Sequence, residues 1–436
     1  MLVRALGRWS LVAIVINGVI GSAVFVLPGT IGGALGWRSL IAWGAAALLT
    51  AAIVFCFAEV ASRFDESGGV YLFTREAFGS YAALQIGWMS YFVRAITAAT
   101  QANLFATYLA EVNGCFGTPA GGVVAATLFI GSIATLNVRG VVGGARTSNF
   151  FAYIKLFPLG LFLLIGLVWI LRGQTIAHPM AAVPTTGEML RSTMLLMFAY
   201  GGFELVVIPL AEAKEPGKDA PFALLVGLGL STLIYMLSQA VVLATVANPA
   251  ANNRVLAESM RVMTGAVGAV SISIAAALSV TGWMASNMLT VPRMSMAMAE
   301  SGDFPGPLAK VHPVFRTPWI SVIAFGGLAW LLSMQASLLQ NLSLSAVSRL
   351  FVYASVCASL PLFRSRERAG KGRVGPARYL APAGVYLSVI GVLGAAILAA
   401  RMNQREAISM VVVVALASLQ WLYKKTTART NPDFAS

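Results

Sequence analysis

Charge is scarce in this chain. Asp, Glu, Lys and Arg make up 11% of its 436 residues, against about 25% in an ordinary soluble domain. With 58% hydrophobic residues, that excludes a soluble globular protein and leaves a polytopic membrane protein. Cysteine is rare too. Cys56, Cys115 and Cys357 stand far apart with no metal-ligand spacing, and two of them lie in apolar runs, so neither a disulfide framework nor a zinc site is expected. The two histidines, His178 and His312, fall in loops, which excludes a histidine relay inside the bilayer. Acids number 16 against 30 bases, a net charge of +14. That balance invites a nucleic-acid reading, but the bases sit in short loops between apolar runs, so nucleic acid is rejected as a partner. No nucleophile–base pair, phosphate loop or metal cluster is visible. No enzyme, cofactor or metal site is expected.

What the chain has in abundance is apolar runs of spanning length, about 20 residues each. Twelve stand out: 9–35, 39–60, 82–111, 121–137, 148–171, 189–211, 221–247, 265–291, 318–339, 342–363, 379–400 and 406–423. The first, behind Arg4 and Arg8, resembles a signal peptide in charge pattern. Eleven more runs follow, so it is read as a retained helix. An even count puts both termini on one side. With the N-terminus inside, twenty Lys and Arg face that side and seven the other, while Arg94, Lys155 and Arg349 are embedded. Both ends are therefore expected in the cytoplasm, in the cell's inner membrane. Between the second and third runs, Val70, Phe73 and Ala77 recur at helical spacing opposite Arg75 and Glu76. This predicts a short amphipathic helix along the inner surface. The segment 293–318 reads as a second structured inner loop. The basic, Gly-rich segment 364–378 reads as a flexible, lipid-attracted one.

Two runs are interrupted. The first holds Gly18-Val19-Ile20-Gly21-Ser22-Ala23, with Pro28 one to two turns later. The sixth holds Phe198-Ala199-Tyr200-Gly201-Gly202-Phe203-Glu204, with Pro209. Gly21 to Pro28 and Gly202 to Pro209 are both seven residues apart. Small residues and a missing N–H unwind a helix, and unwound backbone is tolerated in lipid only where it faces protein or a cavity. A matched pair of interrupted spans points to an inverted-repeat transporter with its site at the breaks. The plainer alternative is that the glycines serve close helix packing.

At these residues the sequence resembles the amino acid–polyamine–organocation (APC) transporter superfamily. The first-helix motif Gly18-x-x-Gly21-Ser22-Ala23 is similar to that family's Gly-Ser-Gly pattern, with alanine in place of the third glycine. Ser67-Gly68-Gly69-x-Tyr71 through Ala77-Phe78-Gly79 resembles its loop between helices 2 and 3. Phe198 to Glu204 resembles its sixth helix, and Arg293 through Ala299-Glu300-Ser301-Gly302-Asp303 the segment after helix 8. The resemblance implies an all-α membrane protein of twelve helices in the leucine-transporter-type arrangement. Helices 1–5 (1–171) and 6–10 (188–363) would be inverted repeats with helices 1 and 6 discontinuous, and 377–424 would add two further helices. It also implies secondary active transport of an amino acid by alternating access.

Candidate site residues follow. Backbone N–H groups at Gly21, Ser22 and Ala23 would bind a substrate carboxylate at a helix N-terminus. Backbone carbonyls at Phe198, Ala199, Tyr200, Gly201 and Gly202 would receive the ammonium, with Phe198 and Tyr200 as an aromatic lid. Trp283 resembles a family position bordering the cavity. Lys155 is either a lysine snorkelling to the interface or, as the resemblance implies, an ammonium standing where related proteins hold sodium. The second reading favours proton coupling or exchange over sodium symport. Glu204 is read as the one acid in the interior of a span, either proton-sensitive or a structural hydrogen-bond group. Arg94 would bind substrate, pair with Glu204 or lock its helix, the lock being preferred. Arg349 has no assigned role. A lone interior acid speaks against a polyamine, and the absence of an output domain against a non-transporting receptor. Amino acid, proton and membrane lipid are the expected partners.

Overall fold

The computed structural model describes residues 7–64, 69–140, 145–176, 183–204, 215–371 and 374–430, the side chains of 145–154, 216–217 and 427–430 excepted. Ser67, Gly68, His178 and Pro209 of the motifs above lie outside them. The described residues are helical with no strand. In chain order the helices are α1 (Arg8–Val19), α2 (Ala23–Leu35), α3 (Ser39–Ala61), α4 (Gly69–Phe78), α5 (Ser80–Val112), α6 (Pro119–Val138), α7 (Ala145–Leu171), α8 (Thr186–Ala199), α9 (Pro216–Thr245), α10 (Val255–Thr264), α11 (Ala266–Glu300), α12 (Trp319–Gln335), α13 (Leu338–Arg368), α14 (Gly384–Ala399) and α15 (Gln404–Thr430). Among the described residues six helical stretches are long and apolar enough to cross a membrane, and four shorter apolar helices accompany them.

The outer surface carries apolar side chains that water would not tolerate in such number. Leu48, Leu128, Phe157, Val267 and Val411 are all more than 60% exposed. Their solvent is lipid, and the helices close all backbone bonds internally as that solvent demands. The centre is built from α1, α2 and α8. Around them stand α5, α9, α11 and α13, with α5 packed on α11, α13 and α12, and α9 packed on α1 and α3.

α4 forms as the spacing predicts. It does not lie free on a surface: Leu72, Phe73 and Ala77 are buried, and the helix packs on α5 and α13. Its Tyr71 hydroxyl donates to Asp303 of the loop after α11, and Lys424 Nζ donates to the same carboxylate at 2.6 Å. Burial, then the Asp303 hydrogen bond, lifts the Tyr71 phenol to about 12. The latch therefore keeps its proton at any physiological pH. Tyr71→Phe removes one hydrogen bond to a charged acceptor, so it is expected to lower stability by about 1.5–3 kcal/mol. A thermal-shift comparison in detergent reads this directly.

The basic segment after residue 363 is not the lipid-attracted tether that its composition suggested. α13 continues through Arg368. Arg364 clasps Glu59 (Nε to Oε1 2.8 Å, Nη2 to Oε2 2.5 Å), and Arg366 donates to the carbonyls of Glu76 and Ala77. Glu59 is wholly buried and also accepts from Arg63 and the Ala381 N–H. Glu204 is thus not the lone interior acid; Glu59 is a second, spent on joining α3, α13 and the chain leading to α14.

Candidate functional site

The first apolar run is two helices. α1's ladder ends with Ile20 N–H donating to Ile16 O at 2.9 Å, and α2's resumes with Phe25 N–H donating to Ser22 O at 3.1 Å. Between those bonds fall the N–H groups of Gly21, Ser22, Ala23 and Val24. Ile20 is extended (φ −76°, ψ 91°), and a run of small residues lets the chain make that turn inside the bundle. Pro28 sits within α2, so the break precedes it.

The carbonyls released at the end of α1 are claimed by two side chains. Lys155 of α7 is completely buried, and its Nζ donates to Asn17 O and Ile20 O, both at 2.9 Å. It does not snorkel. Tyr235 of α9 places its hydroxyl 2.8 Å from Val19 O and 2.9 Å from Ala199 O. One hydroxyl proton serves one carbonyl at a time, so Tyr235 ties the break in α1 to the end of α8 while leaving an acceptor open.

α8 opens on a capping box at Thr185 and Glu188 and stops at Ala199. Tyr200 and Gly201 close a turn onto Leu196 O and Phe198 O. Gly202 takes φ +111°, a conformation that strains any side chain, and a Cβ there would stand 2.2 Å from Gly18 O. The turn after α8 therefore touches the end of α1 backbone to backbone. Gly202→Ala is expected to lower stability by about 2–3 kcal/mol through left-handed strain and this clash. Gly131→Ala, where an added Cβ meets nothing within 4 Å, is the neutral control in the same melting experiment.

Around the α1–α2 gap stand polar groups that find no protein partner among the described residues. Ser22 Oγ and Gln101 Oε1 are buried and unpaired, as are both amide atoms of Asn287. Gln101 Nε2 lies 3.0 Å, and the Trp283 ring 4.0 Å, from where a Gly21 Cβ would be. Trp283 and Asn287 are one turn apart on α11. Buried polar atoms are normally satisfied, so this cluster marks a place meant for something else. Tyr200 is wholly buried, its hydroxyl donating to Trp43 O at 3.2 Å and its ring set edge-on to Trp43 and Tyr235.

Below the gap is a charge cluster. Glu204 accepts from Arg349 Nη1 (2.9 Å), the Tyr353 hydroxyl (3.0 Å) and the Gly202 N–H (2.8 Å). Arg94 Nη2 stands farther off, 3.6 Å from Glu204 Oε1. Arg349, unassigned from sequence, is the main counter-ion of Glu204. A cavity of about 740 Å³ lies between α8, α12, α13 and α15, with Arg191, Gln340, Asn341 and Glu406 in its wall.

Sequence reasoning missed Gln101, Tyr235, Asn287, Arg349 and Tyr353. For Arg349 a signal existed, a lone cation in an apolar run. For the others single residues in a helix gave none.

A family model described as amino acid permease matches residues 6–419. The serine/threonine exchanger SteT of Bacillus subtilis is 28% identical over 90% of this chain and 89% of its own length. The methylthioribose transporter of the same organism is 29% identical over 76% of each chain. The branched-chain amino acid permease BcaP, also from Bacillus subtilis, is 26% identical over 84% of this chain and 82% of its own. A family match running almost end to end, over a bundle of apolar helices whose first is broken at its glycine motif, places this multi-pass membrane protein in the amino acid permease family.

Proposed function

We propose that the protein carries an amino acid across the cytoplasmic membrane by alternating access. In this reading it is a twelve-span protein with two inverted five-helix repeats and both termini inside. The observation that carries the reading is the juxtaposition of opposite helix ends. The N-terminus of α2, with its unclaimed N–H groups, begins just past the end of α1 that Tyr235 ties to the C-terminus of α8, and α2 packs on α8. Helix dipoles make the first end positive and the second negative. A zwitterion fits both at once: its carboxylate on the N–H groups of Gly21, Ser22 and Ala23, its ammonium on the carbonyls from Phe198 to Gly202. Ser22 Oγ adds a donor to the carboxylate. Gln101, Asn287 and Trp283 flank the substrate.

Lys155 decides the coupling. Its ammonium occupies the carbonyl cradle at Asn17 and Ile20 where a small cation would otherwise bind. A second cation there would meet a fixed charge at close range in a low-dielectric interior. Transport is therefore sodium-independent and runs as exchange or with protons, the lysine being the group able to give one up.

Purified protein in proteoliposomes tests this. Radiolabelled amino acid is expected to enter without sodium and faster when unlabelled amino acid or a pH gradient is supplied on the other side. Strict sodium dependence would overturn the coupling. Failure to move or bind any of the common amino acids would overturn the reading as a whole.

A further inference from the structure

The interior charges near the break do not balance. Glu204 is the one carboxylate among the described residues that pairs with Arg94 or Arg349, and Arg349, Tyr353 and the Gly202 N–H already fill most of its acceptor positions. Arg349 spends its other arm on Thr97 Oγ1 at 3.2 Å, and its Nε is buried without an acceptor. Arg94 is left over. Its side chain is 11% exposed. Its approach to the Glu204 carboxylate, 3.6 Å, is an ion-pair distance too long for a hydrogen bond. A guanidinium has five N–H donors in a planar fork. A cation so placed inside a membrane protein is expensive unless something compensates it. The cluster as it stands carries one surplus positive charge, and the Arg94 guanidinium has no hydrogen-bonded acceptor in it.

Its position says what belongs there. Arg94 lies on α5 two turns from Gln101, about 10 Å along the axis at 1.5 Å per residue, and Gln101 abuts Gly21 at the break. Thr97, one turn from Arg94, accepts from Arg349 Nη2, and the Phe198 ring lies 5.9 Å from Arg349 Cζ. A ligand seated on the broken helices points its side chain either outward to the cavity or along α5 toward Arg94. We propose that Arg94, backed by Arg349, receives the side-chain carboxylate of an acidic amino acid. The reading rests on the amino acid transport proposed above and names its substrate class. A carboxylate matches the guanidinium fork with two parallel hydrogen bonds, neutralises the surplus charge, and leaves the α-carboxylate and ammonium for the helix ends. A side-chain amide of the same shape supplies one oxygen and no charge, and its NH2 would face the guanidinium donors.

The comparison of acid with amide is the test. Proteoliposomes loaded with aspartate or glutamate are compared with those loaded with asparagine or glutamine. The acids are expected to exchange with a kcat/KM at least about tenfold above that of their amides. Arg94→Gln should lower the acid value at least about tenfold and the amide value less than about threefold, with Arg94→Lys between parent and Gln for the acid. Equal loss for acid and amide in Arg94→Gln would mean a structural role and would overturn the proposal. So would amides handled as well as acids by the unaltered protein, while transport of those amides would leave the amino acid reading standing. Should Arg94→Gln fail to fold, thermal stabilisation of the parent protein by aspartate against asparagine decides, greater stabilisation by aspartate supporting the subsite. A requirement for chloride, seen as lost exchange when gluconate replaces it, would assign the charge to an inorganic anion and overturn the proposal.

Discussion

Lys155→Ala is expected to lower amino acid exchange in proteoliposomes about a hundredfold. The Nζ group donates to both Asn17 O and Ile20 O. Removing it takes a charged donor from two buried carbonyls, and a buried carbonyl that loses its donor costs about 1–3 kcal/mol. Neither can be recaptured by α1, because the chain at Ile20 has already left the helix. The break then relaxes toward whatever geometry satisfies them, and the N–H groups of Gly21 to Ala23 no longer converge. A hundredfold loss corresponds to about 2.7 kcal/mol of transition-state or binding free energy, at 1.36 kcal/mol per decade. Lys155→Arg keeps a charge but substitutes a rigid fork for a compact ammonium, and should recover only part of the rate. Initial rates, with surface expression held equal, are the readout. A Lys155→Ala protein within about twofold of the parent would remove the lysine from both the site and the coupling.

Glu204→Ala is expected to be the most destabilising single change in the cluster. It strands two guanidiniums, Arg94 and Arg349, and leaves the Tyr353 hydroxyl and Gly202 N–H without an acceptor. Breaking one side of a buried ion pair costs about 3–5 kcal/mol, which lowers an apparent melting temperature in detergent by roughly 3–5 °C for a chain of this length. Adding Arg349→Met should recover part of that loss, because the stranded charge goes with its partner and a residue of similar volume fills the space. The sign of that coupling is diagnostic. If the double variant were no more stable than the sum of the two single losses, Glu204 and Arg349 would not be acting on one another.

Much of the architecture could be read from residue order because lipid writes a simple rule. Several apolar runs coincide with helix, 82–111 with α5 and 342–363 with α13 for example. The first break was legible because Gly21, Ser22 and Ala23 interrupt a run that otherwise demands continuous helix. α10 was not. Its apolar positions, Val255, Leu256, Ala257 and Met260, are buried against α9, α11 and α2, but ten residues are too few for a length-based signal. Arg364 and Arg366 misled for a different reason: composition shows that a segment is basic, not that α13 carries its arginines onto Glu59 and the end of α4. At the site, Lys155 and Glu204 stood out as charges in apolar surroundings. Tyr235 and Gln101 did not, because a tyrosine or glutamine on a helix carries no mark of the helix it will face. Pairing between helices more than a hundred residues apart is a property of the bundle, and no periodicity within one run encodes it.

The most direct measurement is the position of a bound amino acid, determined by electron cryo-microscopy of the protein with its best-stabilising ligand. The account predicts an α-carboxylate within hydrogen-bond distance of the N–H groups at Ser22 and Ala23, with the ammonium at the carbonyls that end α8 and Lys155 still on Asn17 O and Ile20 O. Ligand density confined to the cavity walled by Arg191 and Glu406, over a first helix wound continuously through Ser22, would contradict it.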